Sequence, residues 1–204
     1  EPMQSALFSE SETQETPSVR CYQLQRKYIV NPIKSGLLVI DQQRAHQRIL
    51  YEQFLTNMTV EQAASQQLLF PLELAFSTHE ISALQELETS LTATGFSFDA
   101  IVQDCIVLSG IPPQIAPEQI TEVLHELLHD LQEGIPGNSF SQNDIIAQSM
   151  AKSMSIKNGM YLSEKEQENL INGLFACKAP DISPFQKPTF ITLRVEDLDK
   201  KFAL

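Results

Sequence analysis

The stretch Leu37-Leu38-Val39-Ile40-Asp41-Gln42-Gln43-Arg44-Ala45-His46-Gln47-Arg48-Ile49-Leu50-Tyr51-Glu52-Gln53-Phe54 changes its hydrophobic period midway, and the rest of the chain can be placed around that change. Its first four residues form an unbroken apolar run, which suits a strand buried on both faces, and Asp41 ends the run with a carboxylate. Beyond it Ala45, Ile49, Leu50, Phe54 and Met58 recur at helical spacing, so a helix should begin just past Asp41. That helix sets Gln43 and Gln47 one turn apart on one side. An acidic strand end feeding a helix is a place where a metal site can be built, yet the side chains standing there are amides.

Upstream, residues 1–18 are rich in Ser, Thr, Glu and Gln with little to bury, and read as a linker tail. A lead strand is expected from Cys21 to Val30, broken by Asn31-Pro32, with Lys34-Ser35-Gly36 turning into the apolar run. Downstream, Gln66 to Phe76 predicts a half-exposed strand with Phe70, Leu72, Leu74 and Phe76 on its inner face. Pro71 places its start at an edge or on a connector. Ser77 and Glu80 have capping-box spacing, and Ile81, Leu84, Leu87 and Leu91 give a helical stripe that Gly95 stops. Short strands should follow at Phe96–Phe98 and Ile101–Leu108. A turn at Pro112-Pro113 comes next, then a helix opened by Pro117 and ended by Gly134, Pro136 and Gly137.

The last third predicts a helix capped by Asn143 and carrying Ile145, Ile146, Met150 and Met154, ending near Asn158-Gly159. A second capping box at Ser163 and Glu166 opens a helix burying Leu170, Ile171, Leu174 and Phe175. Thr189 to Val195 favours a strand, and Asp197 to Phe202 a final helical turn. A strand this late should join the opening pair. The expected class is therefore α+β in two subdomains: an outer one made of residues 19–65 and 140–204, and an inserted βαββα one at 66–139.

Composition limits what such a chain can do. With 26 Asp and Glu against 14 Lys and Arg, the 204 residues carry a formal charge of −12, which repels phosphate backbones. DNA contacts are thus expected mainly outside this segment. No apolar run approaches the roughly 18 residues of a membrane span, and no basic-then-apolar signal pattern opens the sequence, so a soluble, cytoplasmic chain is expected. Cys21, Cys105 and Cys177 are odd in number and scattered, as reduced thiols are, with Cys177 expected to be buried. His46, His125 and His129 read as solvated surface histidines. Asp41 and Glu52 read as a helix cap and a solvated face. No Gly-rich phosphate loop is present, which argues against a nucleotide triphosphate site.

Four segments, taken together and in order, resemble the C-terminal domain of the MutL DNA mismatch-repair family. Asp41 to Glu52 is similar to its Asp-Gln-His-Ala-x-x-Glu-x-x-x-x-Glu motif, and Gln66-Gln67-Leu68-Leu69-Phe70-Pro71 to its sliding-clamp-binding motif. Ala151 to Gly159 resembles its Ala-Cys-Lys/Arg-x-x-Ile/Val-Lys-x-Gly segment, and Cys177 to Thr189 has the spacing of its Cys-x-x-Pro-x-x-Cys-Pro-His-Gly-Arg-Pro-Thr segment.

In members that nick DNA these motifs imply a metal site, and this chain departs from it. The motif histidine and glutamate correspond to Gln43 and Gln47, the third motif's cysteine to Lys152, and the last motif's Cys and His to Ser183 and Phe185; Asp41, Glu52 and Cys177 remain. Amides are poor ligands and an ammonium repels a cation, so no metal, cofactor or catalytic residue is expected. The resemblance implies a non-enzymatic dimerisation module, with a homodimer, a weakly bound sliding clamp and a MutS-type protein as partners, and an ATPase in a separate N-terminal domain. Two other readings stand beside it: a metal-dependent endonuclease with a degenerate site, and a generic adaptor. The dimer interface is expected on the opening strands, Ile145 to Met154 and the final strand. Gln66, Leu68, Leu69, Phe70 and Pro71 fit an extended clamp-binding peptide, although the same apolar residues could be core.

Overall fold

A computed structural model describes residues 21–60, 63–133 and 141–202; the expected tail at 1–18 and the helix stop at 134–137 lie outside them. Among the described residues the chain is α+β, with two antiparallel sheets and six α-helices.

The first sheet starts as a hairpin. Cys21 to Val30, expected as one strand, folds back on itself: β1 (Tyr22–Leu24) pairs with the start of β2 (Tyr28–Ile33), with Gln25 and Arg26 at positive φ in the turn. Asn31-Pro32 does not break β2. Pro32 lies opposite Leu37 of β3 (Gly36–Asp41), and on its other side the β1 pairing reaches only Val30, so among the described residues no strand requires the missing N–H. The late strand β7 (Phe190–Arg194) joins β3, giving the order β1-β2-β3-β7. Gly36 sits where this pairing begins, at φ +146°, and a Cβ there would lie 2.0 Å from the Leu193 carbonyl oxygen. The apolar run of β3 is not buried on both faces. Leu38 and Ile40 point inward and are buried with Ile29, whereas Leu37 and Val39 stay half-buried on the open face.

Helix α1 (Gln42–Val60) leaves β3 directly and packs against α4 (Gln142–Met154) and α5 (Glu164–Ala176). The cap of α4 is Ser141, not Asn143. Its hydroxyl accepts the Asp144 N–H at 3.2 Å, while Asp144 returns a bond to the Ser141 N–H at 3.3 Å. The helix ends at Met154, short of Asn158-Gly159, because Ser155 turns to extended backbone. In α5 the expected Ser163 and Glu166 box is present, but Phe175 is exposed and meets Phe190 in a tilted arrangement, ring centres 5.3 Å apart. A terminal helix α6 (Val195–Phe202) follows β7.

The middle block holds β4 (Gln66–Ala75), α2 (Thr78–Thr92), β5 (Ser97–Ile101), β6 (Cys105–Ile111) and, after a 3-10 turn at Pro117–Gln119, α3 (Ile120–Glu133). Its sheet runs β4-β6-β5. The two short strands fall later than expected, split by the turn at 102–104. Apolar residues of α2, α3, β5 and β6 form one core with Leu50 and Phe54 of α1 and Ile146, Ala147, Met150 and Ala151 of α4, so the block closes its core on two helices from outside itself.

Along β4 the ladder is interrupted. Gln67 pairs with Gly110 and Leu72 with Leu108, so the four residues Leu68 to Pro71 oppose one. The alternation resets across this bulge. Leu72, Leu74 and Phe76 turn inward as expected, but Phe70 does not and is 78% exposed.

Candidate functional site

The point where α1 leaves β3 opens into a cleft of about 510 Å³ lined by Asp41, Gln43, Gln47, Lys152, Ser183 and Phe185 together. These are six of the eight motif positions, drawn from the end of β3, the first turns of α1, the last turn of α4 and the loop before β7; Glu52 and Cys177 do not line the cleft. Asp41 caps the helix as expected: its Oδ1 accepts the Arg44 N–H at 3.0 Å, and its Oδ2 lies 3.4 Å from Arg44 Nε. Lys152 reaches Asp130 of α3, with Nζ 3.4 Å from both carboxylate oxygens.

A stripe of three residues at spacing i, i+4, i+8 on α1 brings the late loop to the cleft. Arg44 donates to the Pro188 carbonyl at 3.1 Å and Arg48 to the Ile182 carbonyl at 2.6 Å. Glu52 accepts the N–H groups of Lys178 and Ala179 at 2.7 and 3.1 Å. Glu52 is therefore a loop anchor, not a solvated face, and Arg48 pairs with it at 3.6 Å while itself nearly buried. Sequence reading passed over Arg48, although its spacing from Arg44 and Glu52 was visible. The loop then turns tightly at Gln186, φ +58°, with Ser183 donating its N–H to Lys187 at 2.7 Å and accepting the Lys187 N–H on its hydroxyl at 3.2 Å.

Two further side chains hold the cleft's other rim. Gln42 is fully buried; its amide donates to the Arg26 carbonyl at 2.9 Å and accepts from Gln23 at 2.6 Å. His46 is no solvated surface histidine. Its Nδ1 accepts the Ile156 N–H at 3.0 Å, and burial lowers its pKa to about 4, so the ring is neutral and unavailable as a charged group.

The donor set does not suit a divalent cation. Asp41 is committed to Arg44, Lys152 brings a positive charge, the Ser183 hydroxyl is occupied within its own turn, and Phe185 offers no donor. Cys177 is only partly buried; its thiol donates to the Gly173 carbonyl at 3.3 Å, and burial, followed by the nearby Glu52 carboxylate, pushes its pKa up to about 11. His125 and His129 are exposed, and His125 Nδ1 lies 3.1 Å from Glu80. Among the described residues no group of three His, Cys, Asp or Glu side chains is placed to share a metal.

Two other surfaces stand out. The β4 bulge presents Leu69 at 89% exposure beside Phe70, with Leu68 packed partly against the core and Gln66 exposed at the strand's start. The open face of the first sheet forms a mostly apolar groove of about 520 Å³ lined by Tyr22, Leu24, Val30, Leu37, Val39 and Ile191. Helix α4, expected to share in that patch, instead turns Ile146, Ala147, Met150 and Ala151 into the core.

An α+β chain whose sheet is backed by helices on one side and left apolar on the other has the form of an association module. Residues 21–162 match the family described as the MutL C terminal dimerisation domain, and the chain belongs to that family. It is 60% identical over its whole length to a DNA mismatch repair protein MutL of Flavobacterium johnsoniae, covering 32% of that protein. Identity is 57%, again over the whole chain, to the protein of that name from Flavobacterium psychrophilum, 33% of which is covered. Against that of Parabacteroides distasonis it is 34% over 89% of the chain and 30% of the relative. The chain thus spans about a third of the length of these curated relatives. No helix among the described residues is long and apolar enough to cross a membrane.

Proposed function

We propose that this chain is the non-enzymatic homodimerisation module of a cytoplasmic DNA mismatch-repair protein, joining two copies through the open face of the β1-β2-β3-β7 sheet. The observation that carries this reading is β3 itself: an apolar run in which Leu38 and Ile40 are buried, while Leu37 and Val39 face the groove beside Tyr22, Leu24 and Ile191, which are 52%, 46% and 54% exposed. A strand apolar on both faces but covered on one is what a second copy would complete. In this reading residues 19–65 and 140–204 form the dimerising subdomain and 66–139 a regulatory one, with no cofactor and with DNA contacts mainly elsewhere in the full protein. A MutS-type protein is a further partner. Nicking of DNA at the cleft is disfavoured, because a Lys152 ammonium and two amides stand where ions would have to be held.

Equilibrium sedimentation tests it. The chain should have twice its 22.9 kDa mass at micromolar concentration, and Leu24→Glu with Ile191→Glu should give a folded monomer. A dimer that survives both changes places the interface elsewhere, and a monomeric parent chain ends the proposal.

The β4 bulge supports a second contact, with a replication sliding clamp. Leu69 and Phe70 stand clear of the core on an edge strand, with Gln66 at one end and Pro71 at the other. An extended segment with a polar anchor and protruding apolar side chains suits a pocket on another protein.

A further inference from the structure

The cleft has a charge balance opposite to that of the chain around it. Acidic residues outnumber basic ones 26 to 14 over the sequence, yet here Lys27, Arg44, Lys152 and Lys187 face only Asp41 and Asp130. Both carboxylates are paired, Asp41 with Arg44 and Asp130 with Lys152, each at 3.4 Å. Lys27 and Lys187 form no ion pair among the described residues; the Lys27 ammonium lies 5.0 Å from the Tyr28 ring centre. The second observation is Gln47. It lines the cleft at 8% exposure, and its amide makes no hydrogen bond within the described residues while still reaching the space of the cleft, so its N–H groups are open to a bound ligand.

We infer that this cleft is a binding site for one phosphate group carried by a small molecule, seated between the Lys27 and Lys187 ammonium groups and hydrogen-bonded by the Gln47 amide. A phosphate monoester carries about −1.5 to −2 charge near neutral pH, which two otherwise unpaired ammonium groups match and a single carboxylate would not. The volume, about 510 Å³, suits a small phosphorylated ligand, and Phe185 gives it one apolar wall. Duplex DNA fits the surface poorly. Its charges recur about every 1.7 Å, and those beyond a screening length of about 8 Å would lie over a chain of net charge −12. This inference is independent of the dimer reading, since the mass of the assembly reports on one and anion binding on the other.

Calorimetric titration of the full 204-residue chain tests it, using inorganic phosphate, a nucleoside 5′-monophosphate and a short DNA duplex as separate probes. The first two should saturate at one site per chain by about 10 mM and compete with each other. Lys27→Met with Lys187→Met should weaken both about tenfold or more, whereas removing the same charge at the remote Lys200 and Lys201 should change them less than about twofold. Asp130→Asn, which releases Lys152, should tighten both. Lack of saturation, equal weakening by the remote pair, or no tightening by Asp130→Asn would overturn the site. A duplex that outcompetes the monophosphate would overturn the small-ligand assignment. If the Lys27 and Lys187 variant melts below the parent, the Asp130→Asn titration decides.

Discussion

His46 accepts one hydrogen bond, from the Ile156 N–H, and does so only while its ring is neutral. Its pKa is lowered by burial from 6.5 to about 4, so as the pH falls the unfolded chain takes up the proton before the folded one does. The contribution is intact above about pH 6.5 and is lost as the pH drops toward 4. Discounted for partial exposure, the loss should be roughly 2 kcal/mol. His46→Gln should remove that part of the acid destabilisation, read as the difference between urea unfolding at neutral pH and near pH 4.5. Parallel pH slopes for the two proteins would show that the histidine is not responsible. Nothing in the local sequence told His46 from an exposed helical histidine, because its partner lies 110 residues away. The same holds for Glu52, whose donors, the Lys178 and Ala179 N–H groups, are brought to it only by the folded loop. Asp41 was legible, since capping is a contact three residues long.

Among elements, β4 combines a paired strand with a protruding one. Leu69 and Phe70 contribute little to the isolated fold, so Leu69→Ala with Phe70→Ala should shift stability by less than about 0.5 kcal/mol. Clamp binding, if it runs through these side chains, should be lost, because each would bury surface worth roughly 1.5–3 kcal/mol in a pocket. Pull-down on an immobilised clamp and thermal melting give the two readings; retained binding moves the contact off β4, and a lowered melting temperature returns these residues to the core. Helices with a Ser-x-x-Glu start were readable from sequence, as Ser77 and Ser163 show. Ser141 was not, because its reciprocal partner is the shorter Asp144. Pro32 misled for a different reason: whether a proline breaks a strand depends on which neighbour has already ended.

At the scale of the molecule, a dimer of chains each carrying −12 charge assembles against its own field. If the interface is the apolar sheet face, raising the salt from about 0.05 to about 0.5 M should tighten association several-fold, since screening weakens repulsion while leaving apolar burial intact. Sedimentation across that range checks it, and weaker association at high salt would point to an interface held by ion pairs. The α+β class was legible in the alternation of periods along the chain, and the return of the last strand to the first sheet in its late position with few strand partners nearby in sequence. The open face was expected only through the family resemblance, which put the interface on the opening and final strands; the apolar run alone does not say whether its second cover comes from the same chain. That return has a cost in time. Phe190 reaches Ile40 across about 150 positions, so at about 5–20 residues per second the edge of β3 waits roughly 8–30 s for its neighbour while the chain is being made. During that interval the apolar run Leu37 to Ile40 has an unpaired edge, and a ribosome-bound chain is most open there to mispairing with another nascent copy or to capture by a chaperone.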